Sequence, residues 1–203
     1  MVKLIIFDFD GVIIPGIEHS YEVCKRQQPT LTVDEYRDWF DGNVHKYLLE
    51  NRVMLNLLAF FNGYNDAIAA APLEPAIKEL VGGVAEHAVL AIVSSNSSTA
   101  IERYLEDNGI RKEFSEVWGA EQHKSKVEKL RLLQQIHGVS PQDCRFVTDT
   151  LGDLKEAAEA GVAAIAVTWG FHDRARLLRG TPIAIAETPA ELRQILVGPH
   201  GVE

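Results

Sequence analysis

Helix-like and strand-like segments alternate along residues 75–170, and this alternation restricts the possible folds more than any other feature of the sequence. The strand-like segments are short apolar runs, and helix-like segments stand between them. Such alternation is typical of a mainly parallel sheet with helices on both faces. The sequence therefore predicts an α/β, doubly wound fold. The predicted strands are residues 3–9, 88–95, 115–120, 144–149 and 163–170.

A helical insert is predicted directly after the first strand. Residues 16–73 contain helix-like stretches such as VDEYRDWF and HKYLLENRVMLNLLAFF, and none of them has the pattern of a strand. Thr32 precedes VDEYRDWF, and Glu35 follows three residues later, which is the spacing of a capping box. We therefore predict a core domain formed by residues 1–15 and 74–203, with the small helical insert at residues 16–73.

Composition and charge exclude several classes of function. The formal net charge of −9 disfavours binding to nucleic acid polymers or to an anionic membrane surface. The two cysteines, Cys24 and Cys144, lack the spacing of a zinc site or a disulfide framework. No apolar run reaches the roughly 20 residues that a membrane helix needs. We therefore expect a cytoplasmic protein, and the sequence leaves its oligomeric state open.

Four carboxylates follow two of the predicted strands. Asp8 and Asp10 end the first strand with one residue between them, so they point to the same side of an extended chain. Asp149 ends the strand at residues 144–149, and Asp153 stands in the next turn. Ligands bind beyond the carboxyl ends of parallel strands, and clustered carboxylates suit Mg²⁺. The alternatives are a solvated turn for the first pair and a helix cap for the second.

Hydroxyl groups and lysines provide candidates for binding an anion. Ser94 and Ser95 end the strand at residues 88–95, where the next helix begins. Hydroxyls and backbone N–H groups at a helix start favour phosphate, although serines there are often simple caps. Downstream, Lys124 and Lys126 precede a helix, and either lysine can reach a phosphoryl oxygen.

Taken together and in order, these segments resemble the haloacid dehalogenase (HAD) superfamily in its phosphatase branch. The matching motifs are DFDGV, the strand AIVSS, a lysine before a helix, and VTDTLGDLKEAAEAGV. The resemblance covers nearly the whole chain. It implies a Rossmann-like core with a small helical cap, which would be residues 16–73.

The resemblance also implies roles for the acids. Asp8 would be the nucleophile that becomes an aspartyl phosphate, and Asp10 would act as general acid and then general base. Asp8, the carbonyl group of Asp10 and Asp149 would hold Mg²⁺. Asp153 would bind the ion through water or orient the lysine.

Phosphate contacts follow from the same resemblance. Ser94 would bind a phosphoryl oxygen, with backbone N–H groups near Ser95 or Gly11 as further donors. Lys126 is preferred as the site lysine, with Lys124 as the alternative. Thr148 stands where relatives usually carry glycine, which we expect to alter loop packing more than chemistry.

The predicted function is that of a magnesium-dependent phosphatase acting on a small phosphorylated metabolite. A phosphosugar mutase similar to β-phosphoglucomutase uses the same acids and is the alternative. A catalytically silent binding module is a further alternative, although such a protein would be expected to have lost Asp8 or Asp10. The substrate stays open at this stage, with phosphoglycolate, sugar phosphates and nucleoside monophosphates all compatible with the sequence.

Overall fold

The computed structural model describes residues 2–198, and the strands among them form one parallel sheet. The strands are β1 (Leu4–Phe7), β2 (Val89–Val93), β3 (Phe114–Trp118), β4 (Cys144–Thr148), β5 (Ala163–Val167) and β6 (Ala184–Ala186). Their order is β3-β2-β1-β4-β5-β6, with neighbouring strands parallel. Strand β1 therefore lies in the interior of the sheet between β2 and β4.

The helices occupy the remaining segments in chain order. They are α1 (Glu18–Gln27), α2 (Val33–Asp38), α3 (Val44–Glu50), α4 (Leu57–Ala69), α5 (Pro75–Ala85), α6 (Ser98–Asp107), α7 (Lys126–His137), α8 (Leu151–Ala160), α9 (Arg174–Leu178) and α10 (Pro189–Val197).

Helices cover both faces of the sheet because side chains of each strand alternate between the two faces. In β1, Ile5 and Phe7 are buried in a cluster that includes residues of α5, α6 and α10. Leu4 and Ile6 are buried in the opposite cluster, with residues of α7 and α8. All four side chains are buried, as expected for a parallel sheet with two covered faces. The predicted α/β doubly wound fold is confirmed.

The segment between β1 and α5 is helical, as predicted, and has its own apolar cluster. Helices α1 to α4 lie within residues 16–73, and Tyr36 and Trp39 are buried at the centre of the cluster. The predicted capping box is present, because Thr32 accepts from the Glu35 backbone while the Glu35 carboxylate accepts from Thr32. We call helices α1 to α4, with the turns that join them, the cap. The exact division of the chain at residues 15 and 74 stays a prediction.

One predicted helical stretch is interrupted in the structure. Residues 45–61 read as a continuous helix, but α3 ends at Glu50 and α4 begins at Leu57. Arg52 has a left-handed backbone with φ of 51°, which no helix tolerates. Asn56 then caps α4 by accepting a hydrogen bond from the backbone N–H of Ala59. The break creates a turn between two cap helices.

The last part of the described chain completes the sheet. Strand β6 and helices α9 and α10 were not predicted from the sequence. Strand β6 has only three residues and helix α9 only five, so neither shows a clear periodic pattern. Helix α10 packs against α5 and closes one face of the core. Within residues 2–198, no helix is both long and apolar enough to cross a membrane.

Candidate active site

The predicted acids lie together at the carboxyl edge of the sheet. Strands β1 and β4 are parallel neighbours, with Phe7 opposite Val147, so Asp8 and Asp149 leave the sheet side by side. The backbone N–H of Asp8 donates to the carbonyl of Val147 at 2.8 Å and extends this pairing. The register of the two strands therefore brings both acidic motifs to one place.

Lys126 joins the two acidic motifs. Its Nζ lies 2.8 Å from Asp8 Oδ2 and 2.6 Å from Asp153 Oδ2, and all three side chains are buried. Burial alone would lower the pKa of Lys126, but the two carboxylates raise it above its usual value. Burial raises the pKa of Asp8, against the opposing attraction of the Lys126 ammonium. Lys126 therefore stays charged between two carboxylates that would otherwise repel each other.

Asp153 is the most firmly ionised acid of this group. Although burial opposes it, the Lys126 ammonium and hydrogen bonds hold the pKa of Asp153 below its usual value. Thr148 donates its hydroxyl hydrogen to Asp153 Oδ2 at 2.7 Å. Thr148 thus contacts the acidic cluster directly, and its effect on loop packing rather than chemistry stays a prediction.

The remaining sequence candidates are Lys124, Ser94 and Ser95, and they differ in their exposure. Lys124 is exposed on the loop before α7, so the geometry favours Lys126 over Lys124. Ser94 and Ser95 line the same cleft as Asp8. Ser94 is fully buried, and its Oγ accepts from the backbone N–H of Asn96 at 3.0 Å. Its hydroxyl hydrogen is thereby left available to another acceptor.

Asp10 is held by two side chains that the sequence did not single out. Tyr64 of α4 donates to Asp10 Oδ1 at 2.5 Å, and the Asn96 amide donates to Asp10 Oδ2 at 2.7 Å. Burial raises the pKa of Asp10, while these two hydrogen bonds lower it in part. A carboxyl group with a raised pKa is suited to give and take a proton near neutral pH.

Asp149 lies in a tight backbone cradle. Gly11, with φ of 75°, and Gly170 both approach the Asp149 carboxylate so closely that a Cβ on either residue would overlap with it. The backbone N–H of Phe171 donates to Asp149 Oδ2 at 2.6 Å, whereas Oδ1 is buried without a hydrogen-bond partner. Burial raises the pKa of Asp149 to about 7. A buried carboxylate oxygen without a partner fits a metal ligand.

The donor set fits a hard divalent cation. Within residues 2–198, no three His, Cys, Asp or Glu side chains are grouped so that they could hold a metal ion. The predicted ligands, however, include only two side-chain carboxylates, those of Asp8 and Asp149, together with the carbonyl oxygen of Asp10. The Asp10 carboxylate is bound to Tyr64 and Asn96 instead. The predicted ligand atoms, the carboxylate oxygens of Asp8 and Asp149 and the carbonyl oxygen of Asp10, are all oxygen donors, which Mg²⁺ prefers.

The cap closes over the acids and forms a cavity of about 90 Å³. Phe171, from the loop after β5, lines this cavity and packs edge-to-face on Phe40 of the cap, with ring centroids 4.9 Å apart. The Arg37 Nε donates to the Phe171 carbonyl at 2.9 Å. The sequence allows two interpretations of residues 169–172, a border of the site and an aromatic plug at the sheet edge, of which the plug is favoured. Phe171 is a wall of the cleft.

Tyr64 and Asn96 are the site residues that sequence reasoning missed. Asn96 follows the serines at the end of β2, and its place in that loop was the one available signal. Tyr64 lies 54 residues from Asp10 on a cap helix, so only the folded cap brings the two together.

Comparison with known proteins places the chain in a family. Residues 5–167 match the sequence profile of the haloacid dehalogenase-like hydrolases. A phosphoglycolate phosphatase of Synechococcus elongatus is 29% identical over 95% of this chain and 96% of its own length. A phosphoglycolate phosphatase of Vibrio parahaemolyticus is 22% identical over 96% of each chain.

Solved structures show the same fold. A haloacid dehalogenase-like hydrolase of Streptococcus pneumoniae matches with a TM-score of 0.77 and 21% identity, covering 94% of this chain and 96% of its own. A CbbY variant of Rhodobacter sphaeroides, in complex with xylulose-1,5-bisphosphate, matches with a TM-score of 0.78 and 20% identity over 95% and 96% of the two chains. With the family profile spanning both acidic motifs, the chain belongs to the haloacid dehalogenase-like hydrolases.

Proposed function

We propose that this hydrolase releases phosphate from a small phosphorylated metabolite through an aspartyl phosphate on Asp8, with the help of Mg²⁺. The predicted enzyme class, a phosphatase, is confirmed by the relatives described above. The observation that carries the proposed route is the buried cluster in which Lys126 contacts both Asp8 and Asp153. In this route, the Asp8 carboxylate attacks phosphorus from beside a fixed positive charge.

In the first step, an Asp8 carboxylate oxygen attacks phosphorus in line with the leaving oxygen. A bond forms between this oxygen and phosphorus, and the bond from phosphorus to the leaving oxygen breaks. Asp10 gives its proton to that oxygen, so the alcohol leaves neutral. The raised pKa of Asp10 keeps the proton available for this step.

In the second step, water replaces Asp8 on phosphorus. Asp10, now a carboxylate, takes a proton from the water as its oxygen bonds to phosphorus, and the bond between phosphorus and Asp8 breaks. Inorganic phosphate leaves, while Asp8 is again a carboxylate and Asp10 again carries a proton. Tyr64 and Asn96 keep Asp10 oriented through both steps.

Positive charge at the site offsets the repulsion between Asp8 and the phosphoryl group. Asp8, the carbonyl of Asp10 and Asp149 would hold Mg²⁺, which supplies this charge to the phosphoryl oxygens when it is bound. Asp153 holds Lys126 in place, and Lys126 contributes a second positive charge. Ser94 and backbone N–H groups near Ser95 would add hydrogen bonds.

Phosphate release from a panel of phosphorylated metabolites tests this proposal. We expect release by the wild-type protein with Mg²⁺, and loss of release after chelation or in Asp8→Asn. Asp107→Asn is the matched control, since Asp107 is an exposed carboxylate in an ion pair with Arg103. Full release by Asp8→Asn would contradict the proposal. Formation of an isomer without free phosphate would support the mutase alternative instead.

A further inference from the structure

The cleft has two chemically different ends. The core end carries the acids and Lys126, whereas the cap end is formed mainly by large apolar side chains. The apolar side chains that line the cap end are Trp39, Leu48, Leu55, Leu57, Phe60 and Phe61. When a phosphoryl group contacts Lys126, the rest of the substrate must lie toward the cap. The apolar end therefore receives the leaving group.

The cap wall of this cleft carries no charge at neutral pH. The ionisable groups among its lining residues are Cys24, Tyr36 and His45. Burial raises the pKa of Cys24 to about 12 and lowers the pKa of His45 to about 4, so both are neutral. Burial also raises the pKa of Tyr36. No arginine or lysine of the cap lines the cleft, and these are the side chains that bind carboxylates and phosphates most strongly.

The core end adds an excess of negative charge. Asp8, Asp153 and Glu156 line it as carboxylates together with the cation Lys126, and Asp10, which carries a proton in the first step, adds no charge there. Two of these carboxylates already bind Lys126. The positive charge of a bound Mg²⁺ would be balanced by the negative charge of the phosphoryl group. An anionic leaving group would therefore meet repulsion from the core and no compensating charge from the cap.

The apolar wall continues to the protein surface. Leu57 lines the cleft and is 55% exposed, so it forms part of the entrance. Met54, in the turn between α3 and α4, is also exposed. Exposed apolar side chains beside a cavity are typical of a binding site for an apolar group. The entrance can accommodate a leaving group longer than the cavity.

We propose that the substrate is a phosphate monoester of an uncharged, apolar alcohol, and that anionic esters such as phosphoglycolate are poor substrates. This inference rests on the proposed function and narrows its substrate class. It uses the charge pattern of this cleft rather than the names of the relatives, which are phosphoglycolate phosphatases.

A series of esters tests the inference directly. We expect kcat/KM to rise about fourfold for each methylene group from methyl to n-pentyl phosphate, since a buried methylene contributes ~0.8 kcal/mol. Replacing the terminal methyl group of the n-pentyl ester by a carboxylate should lower kcat/KM by about tenfold or more. A third ester of equal length ends in a trimethylammonium group. Preference for the carboxylate or for the trimethylammonium ester would overturn the inference.

Two neighbouring leucines provide a matched pair of variants. Leu57→Arg places a cation on the cleft wall, and Leu58→Arg places one on the exposed surface outside it. We expect Leu57→Arg to lower kcat/KM for the n-pentyl ester and to raise it for the carboxylate ester, while Leu58→Arg changes neither. Equal effects of the two variants would contradict the assignment of this wall to the leaving group.

The outcomes separate this inference from the proposed function. Release of phosphate from all esters at one rate, regardless of chain length and charge, would contradict the leaving-group inference and leave the phosphatase mechanism intact. Release from members of the metabolite panel but from none of these esters would contradict the leaving-group inference alone, whereas absence of release from both sets by the wild-type protein with Mg²⁺ would contradict the proposed function itself.

Discussion

Lys126 allows two carboxylates to lie side by side in the buried site. We expect Lys126→Met to lower kcat by about 100-fold or more, because the phosphoryl group loses a fixed charge and Asp8 loses its partner. Lys124→Met should leave kcat unchanged, since Lys124 is exposed. Steady-state kinetics with any accepted substrate checks the prediction, and circular dichroism checks that both variants fold. Similar losses of kcat in both variants would contradict the assignment of Lys126 as the site lysine.

Tyr64 links the cap to the proton-transferring acid. Tyr64→Phe removes a hydrogen bond that lowers the pKa of Asp10, so that pKa should rise. Because the first step needs protonated Asp10, we expect the alkaline limb of the kcat/KM profile to move to higher pH, with kcat reduced about tenfold.

Tyr104→Phe is the control for this variant. The Tyr104 hydroxyl lacks a hydrogen-bond partner in the structure, and its ring packs on Phe9 in the core. Its pH profile should therefore match that of the wild-type protein. An unchanged profile in Tyr64→Phe would show that Tyr64 does not tune Asp10.

The loop between β5 and α9 fastens the cap to the core through His172. The Nδ1 of His172 accepts from the backbone N–H of Leu151 at 2.9 Å, so its Nε2 carries hydrogen and donates to the Arg37 carbonyl at 3.0 Å. The contact with Leu151 requires neutral imidazole, because a protonated Nδ1 cannot accept a hydrogen bond. Burial accordingly lowers the pKa of His172 below its ordinary value of 6.5.

This contact predicts a dependence of stability on pH. Below about pH 6.5 the unfolded chain binds a proton at His172 that the folded chain excludes, so the free energy of unfolding falls as pH falls. The expected slope is about 1 kcal/mol per pH unit until the folded pKa is reached. His172→Asn keeps an acceptor for the Leu151 N–H group without titrating, so its unfolding free energy should depend less on pH. Urea unfolding at several pH values provides the measurement, and identical slopes would contradict the prediction.

Helix α8 supports the corner of the cap between α2 and α3. The backbone N–H of Gly152 donates to the Phe40 carbonyl at 2.8 Å, and a Cβ on Gly152 would overlap with the Gly42 carbonyl. We expect Gly152→Ala to lower the free energy of unfolding by about 2 kcal/mol, because backbone must shift. Gly82→Ala, in α5 with open space around it, should raise it by ~0.5–1 kcal/mol. Chemical denaturation compares the two, and equal stability would contradict the close docking.

At the scale of the whole molecule, the features predicted correctly were those that short segments of the sequence encode. The alternating strands and helices gave the fold class, and the strand ends located Asp8 and Asp149 on neighbouring strands. Contacts between the cap and the core were not predictable, because they join residues far apart in sequence and depend on how the cap docks. Tyr64 on Asp10 is such a contact. The break between α3 and α4 was missed because Arg52 is not a residue type that marks a left-handed turn.

The charge pattern of the whole cleft likewise emerged only from the fold. Several apolar cap residues, among them Trp39, Phe60 and Phe61, line the cleft above the acids, which no local pattern indicates. Glu156 on α8 lines the core end of the cleft, and no sequence pattern indicates this position. Substrate preference is a property of this assembled surface rather than of a motif.

Trapping of the covalent intermediate tests the central claim most directly. The protein would be mixed with substrate and Mg²⁺, quenched in acid during turnover, and treated with borohydride, which reduces an aspartyl phosphate to homoserine. Mass spectrometry of the peptides should find homoserine at position 8 only when substrate is present. Continued phosphate release without modification at Asp8, or with modification at Asp10 instead, would contradict the proposed nucleophile.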